Sequence, residues 1–224
     1  MTLRVSKRLQ LHVLESGNYS RFQSTYRPGY CAETALLKIV NDIRTAAGEG
    51  RCTALLALDI CTAFDAVNHS VLCQRLQHTF GMNGWALDWL RSFVSGRSQY
   101  VAAGGERSVT APCEPGVLQG SVLGPLLFSL YVAPVSNIAV AHHVSIHQYA
   151  DDVPIYIAIQ PQCPDSPSWL VNCTDDITHW FLESGLLLNP SRTEAVVFGT
   201  DPDCEVRTLP EVLRWLAPAS SFRT

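Results

Sequence analysis

Val144-Ser-Ile-His-Gln-Tyr149-Ala150-Asp151-Asp152-Val153-Pro-Ile-Tyr-Ile-Ala-Ile159 sets two adjacent carboxylates between two apolar, strand-forming runs. Residues 144–149 alternate as a half-buried strand does, and residues 153–159 resume the apolar pattern. The pattern predicts a hairpin with its turn at Asp151-Asp152 and both charges at the tip. Two like charges side by side repel, and burying them unpaired is costly. A divalent cation is the simplest partner that offsets the cost. Asp also favours turns for backbone reasons, so the pair alone reads equally well as a solvated turn.

Working outward, Thr53-Ala-Leu-Leu-Ala-Leu-Asp59 is a nearly continuous apolar run. It predicts a central strand covered on both faces. Asp59 closes it, where ligands gather in sheets of mixed folds. Residues 1–23 read as the end of a helix plus a loop. Apolar spacing predicts a helix over 33–46, with Ala35, Leu36, Ile39, Val40 and Ile43 on one face. Further helices are expected from Asn68-His-Ser70 to about Thr79, over 85–94, and over 169–184. Ser121 is expected to cap a single long helix reaching Ala139. Gly104-Gly105 predicts a hairpin joining 99–102 to 107–110. Residues 161–167 are a Pro-rich connector, and 186–189 and 194–198 close the sheet. Helices mixed with antiparallel strands make the class α+β.

Of the 224 residues, 47% are hydrophobic and 16% charged, a globular and not a disordered composition. The start has no signal-peptide pattern and no apolar run reaches 18 residues, so an intracellular protein, nuclear or cytoplasmic, with no membrane partner is expected. The eight cysteines are scattered without C-x-x-C spacing, which predicts free thiols and no zinc finger. Residues 1–51 carry a net charge of +4 and residues 111–224 a net −8. The basic end is the expected nucleic-acid face; the acidic end repels phosphate unless metal ions intervene.

Five segments resemble reverse transcriptases of non-LTR (LINE-type) retrotransposons, in family order over about residues 20–200. Phe22-Gln-Ser-Thr-Tyr26-Arg27-Pro28-Gly29 with Glu33-Thr34 resembles the fingers motif. Ala57-Leu-Asp59-Ile-Cys-Thr-Ala-Phe64-Asp65 resembles the first palm motif, and Gly116-Val-Leu118-Gln119-Gly120-Ser121 the second. Tyr149-Ala-Asp151-Asp152 resembles the third, and Gly185-Leu-Leu-Leu-Asn189-Pro-Ser-Arg192-Thr193-Glu194 the fourth.

The resemblance implies a right-hand polymerase palm, an antiparallel sheet packed on helices, with partial fingers and no complete thumb. It divides the chain into a fingers segment (1–51), a palm with fingers-side insertions (52–200) and an irregular tail (201–224). It implies RNA-directed DNA polymerase activity: dNTPs added to a DNA primer on an RNA template with two Mg²⁺ ions, Mn²⁺ able to substitute. Asp59, Asp151 and Asp152 would be the catalytic and metal-binding carboxylates. Phe64 would exclude a 2′-hydroxyl, Gln119 and Gly120 would contact the nascent pair and template, and Arg27 would reach template or triphosphate. Arg192 stands where the family has a Lys that protonates pyrophosphate, and Leu118 where it has a Pro. A guanidinium is a poor proton donor. These departures keep a second reading open, a catalytically inactive retrotransposon-derived fragment that binds nucleic acid or protein.

Overall fold

A computed structural model describes residues 2–159 and 166–199, which fall into two compact units interleaved in the sequence. One comprises the described residues of Met1–Tyr19 with Thr62–Val132; the other comprises Ser20–Cys61 with the described residues of Ala133–Thr224.

The second unit is built on a four-stranded antiparallel sheet. Helix α1 (Thr2–Glu15) belongs to the first unit, so this one starts with α2 (Ala32–Gly48). The strands are β1 (Cys52–Leu58), β7 (Ser145–Ile146), β8 (Val153–Ile159) and β10 (Glu194–Phe198), in the order β10-β1-β8-β7. β1 lies between two neighbours, pairing Thr53 with Phe198 on one side and with Ala158 on the other. Ala54, Leu56 and Leu58 on one face are buried, while Leu55 and Ala57 on the other are only partly covered, so the cover expected on both faces is incomplete. Helix α7 (Ser166–Glu183) covers β8. Its Leu170, Cys173, Ile177 and Phe181 recur at helical spacing and are fully buried. Pro154 sits inside β8 opposite Ala57, and its carbonyl accepts from His147 N–H at 3.0 Å, so the ring removes one ladder donor and leaves the strand intact. Helix α6 (Val135–Ala141) completes the core, and two short strands, β2 (Ile60–Cys61) and β9 (Leu187–Leu188), pair separately.

The first unit packs α3 (His69–His78) with α4 (Gly84–Val94) and with α5 (Gly124–Val132). Asn68 Oδ1 caps α3, accepting from Ser70 and Val71 N–H at 3.0 and 3.2 Å. The Gly104-Gly105 hairpin forms in two tiers: β3 (Arg97–Gln99) pairs with β6 (Ala111–Cys113), and β4 (Ala102–Ala103) with β5 (Glu106–Arg107).

Three expectations change. The single helix to Ala139 is broken: α5 ends at Val132 and α6 begins at Val135, because Pro134 cannot continue the hydrogen-bond ladder. Ser121 does not cap one long helix, though its Oγ accepts from Gly124 N–H at 2.9 Å where α5 starts. The stretch Gly124–Ala141 is apolar and long enough to cross a membrane by composition, and 67% of it is buried in this fold. On α2 the buried stripe runs through Ala35, Ile39 and Ala46, leaving Leu36 and Val40 exposed. The helix carries a wider apolar arc than its neighbours cover. Cys31, Cys61, Cys73, Cys113 and Cys173 are free, but Cys52 is disulfide-bonded, against the expectation of free thiols. Of the expected connector 161–167, residues 166 and 167 open α7, while 161–165 and the tail at 201–224 lie outside the described residues.

Candidate functional site

Asp59 follows directly on β1, and both its carbonyl and its N–H are held. The Asp59 carbonyl accepts from Asn189 N–H at 2.8 Å, and Asp59 N–H donates to Thr193 Oγ1 at 3.4 Å. Both partners belong to one turn. Asn189 Oδ1 accepts from Ser191 N–H at 3.2 Å, and the Asn189 carbonyl accepts from Thr193 N–H at 3.0 Å and Thr193 Oγ1 at 2.9 Å. The ladder on this side thus pauses at Leu58 and Asp59 while the neighbouring segment makes an Asx turn. Pairing then resumes as Ile60 with Leu188. Asp59 is fixed in the gap.

The second acidic segment is a two-residue turn. Tyr149 N–H donates to the Asp152 carbonyl at 2.9 Å and Asp152 N–H to the Tyr149 carbonyl at 3.1 Å. The central residues are therefore Ala150 and Asp151, one position earlier than the expected Asp151-Asp152. Asp152 already belongs to the returning strand. Ala150 has φ 58°, left-handed backbone that glycine adopts far more readily.

The β1–β8 register pairs Leu58 with Val153, and continuing it by one residue sets Asp59 opposite Asp152. Electrostatics agree with that placement. The Asp152 carboxyl is raised above the usual carboxylate range, first by desolvation, then by the Asp151 and Asp59 charges. Among the described residues none of these three carboxylates is in an ion pair. Nor do any three His, Cys, Asp or Glu among the described residues form a ready metal cage. Mg²⁺ seldom uses one. It takes one or two carboxylates together with substrate phosphates and water, and Asp59, Asp151 and Asp152 are donors of that oxygen type.

Other candidates are placed as follows. Arg192 is exposed on the turn that clamps Asp59. Arg27 lies before α2, its guanidinium 4.8 Å over the Tyr30 ring and its Nη1 donating to the Arg21 carbonyl at 3.3 Å. Phe64, Gln119 and Gly120 belong to the first unit. Phe64 is half-buried, stacked on Phe128 with centroids 4.8 Å apart. Gln119 and Gly120 are exposed, with Gly120 at φ 78°. Their loop is anchored where Gly116 N–H donates to Val67 O and Val117 N–H to Phe64 O, both at 2.8 Å. A Cβ on Gly116 would meet the Asp65 backbone at 3.0 Å, so that approach needs glycine.

Three contributors escaped the sequence reading. Asn189 and Thr193 stand in a motif already singled out, and Asn-Pro-Ser is a recognisable turn signal. Gln23, which bonds Ala150 N–H at 3.3 Å, gives no local signal.

A family model described as reverse transcriptase (RNA-dependent DNA polymerase) matches residues 2–217. The chain is 29% identical over 179 residues to a probable RNA-directed DNA polymerase from transposon X-element of Drosophila melanogaster, covering 79% of this chain and 19% of that one. It is 30% identical over 184 residues to the RNA-directed DNA polymerase from mobile element jockey of Drosophila funebris, covering 80% and 20%. The chain thus spans about a fifth of the length of these relatives. Among solved structures, apo telomerase from Candida tropicalis, truncated from its C-terminal domain, aligns with TM-score 0.66 at 13% identity, over 90% of this chain and 41% of that one. Telomerase from Candida albicans, in complex with a fragment of telomeric RNA, aligns with TM-score 0.67 at 12% identity, over 87% and 34%. The mixed helix and antiparallel-sheet fold is shared with them.

Proposed function

The chain belongs to the reverse transcriptase family, that of non-LTR retrotransposon RNA-directed DNA polymerases, and on that premise we propose that it adds dNTPs to a primer 3′-hydroxyl on an RNA template. One observation carries the reading. Asp59 and the Asp151-Asp152 turn meet at one end of the β1–β8 ladder, close enough for Asp59 and Asp151 to raise the Asp152 carboxyl.

Asp59 and Asp151 are the carboxylates to hold two Mg²⁺, with Asp152 assisting. When bound, such ions activate a hydroxyl nucleophile and neutralise the leaving pyrophosphate in an in-line displacement. The chain's own contribution is position. The Asn189–Thr193 turn fixes Asp59, and the Tyr149–Asp152 pair fixes Asp151. Phe64, its ring held by Phe128, selects dNTPs by excluding a 2′-hydroxyl. Gln119 and Gly120 lie on an exposed loop and serve the nascent pair and template, Gly120 allowing close approach because it has no side chain. Arg27 and Arg192 supply positive charge toward phosphate.

A binding module without turnover is the second reading, favoured by Arg192, because a guanidinium is a poor proton donor. Primer extension on an RNA template with Mg²⁺, native chain against Asp151→Ala, separates the two. Extension that disappears in the variant supports the polymerase. No extension by the native chain, with nucleic acid still bound, gives the second reading.

A further inference from the structure

Gln23 is a long polar side chain with 1% of its surface exposed. Residues 22–24 run beside the strand leading into the acidic turn. Gln148 N–H donates to the Phe22 carbonyl and Ser24 N–H to the Gln148 carbonyl, both at 2.9 Å, and Gln23 forms a parallel bridge with Gln148. From there its Oε1 accepts two bonds, from Thr25 N–H at 3.1 Å and from Ala150 N–H at 3.3 Å. Both partners are backbone donors, so the amide oxygen and not the NH₂ must face them. A buried acceptor shielded from water holds a donor more firmly than a solvated one does.

Ala150 is the residue of that turn most in need of holding. At φ 58° its Cβ crowds the backbone, and the first central position of a turn with φ above zero there is ordinarily glycine. Relaxing Ala150 would swing the next residue, Asp151. We infer that Gln23 is a positioning residue whose amide oxygen pins Ala150 in the left-handed conformation and thereby fixes where the Asp151 carboxylate points. The consequence for turnover rests on the polymerase reading; the hydrogen bonds stand without it.

Amide hydrogen exchange tests the inference at Asp152, whose N–H closes the turn. Gln23→Leu keeps most of the volume and deletes the acceptor. It is expected to speed exchange at Asp152 about tenfold while leaving Leu56 in β1 protected. Ala150→Gly added to that variant removes the need for a pin and returns most of the protection. Unchanged exchange at Asp152, an equal loss at Leu56, or no recovery with glycine overturns the inference. Should Gln23→Leu not fold, Gln23→Glu, which keeps an accepting oxygen, must retain the protection; its loss there overturns the inference equally. In primer extension, Gln23→Leu is expected to lower kcat about tenfold with little change in KM for dNTP, and Ala150→Gly to recover it. If the native chain extends no primer, the polymerase reading fails, while the exchange result still decides the role of Gln23.

Discussion

The acidic end of the four-stranded sheet and the two-tiered hairpin at 97–113 use their backbones in opposite ways. Around Asp59 and Ala150, segments distant in sequence bond one another: 59 with 189 and 193, 150 with 23. The hairpin bonds mainly to itself, and its side chains stand in solvent, with Val101 72% and Val109 91% exposed. Groups that must hold fixed positions are thus placed on cross-linked backbone, while a surface free to adapt is left on a local ribbon.

The largest effect expected is on turnover. Asp151→Asn should reduce primer extension by roughly a thousandfold or more, with the thermal midpoint nearly unchanged. Residual extension within tenfold of native would break the comparison at its first premise. Next is the sheet itself. Leu56→Ala should cost about 2–5 kcal/mol in urea unfolding, since Leu56 is 2% exposed between two paired strands. Gly116→Ala should cost about 1–3 kcal/mol, because the new Cβ meets the Asp65 backbone at a residue with φ +98°.

A smaller effect concerns pH. Burial, with Lys38 adding to it and Asp42 opposing, holds the His147 imidazole below its ordinary range. The unfolded chain then binds the proton more readily, so this contribution to stability is lost as pH falls from about 6.5 through the lowered value. Unfolding midpoints of His147→Gln should decline less than those of the native chain over that window; parallel declines would remove His147 as the cause. The smallest effect is expected on the hairpin. Arg107→Ala breaks a stacking contact 4.8 Å from the Tyr100 centroid and should change stability by no more than about 0.5 kcal/mol. A larger loss would mean that the hairpin is no mere surface.

Legibility in the sequence followed the same division. β1 is readable because its apolar run is nearly unbroken, and α7 because Leu170, Cys173, Ile177 and Phe181 keep helical spacing. The three carboxylates were legible from charge and strand pattern, and the remaining site candidates came from motif resemblance. What joins them did not, because bonds such as Asp59 to Asn189 depend on long-range register and leave no local period. The turn was read one residue late, since nothing in an alanine announces a positive φ. Periodicity likewise assigned Leu36 and Val40 of α2 to a buried face, because it reports an apolar arc and not how much of it a neighbour covers.

The place of β1 between β8 and β10 also has a consequence in time. Thr53 must await Ala158 and then Phe198 before both its edges are satisfied. At ordinary synthesis rates of about 5–20 residues per second, the first neighbour arrives after roughly 5–20 s and the second a few seconds later. Throughout that interval an apolar strand of the nascent chain has open edges, the condition under which chaperones bind and strands mispair.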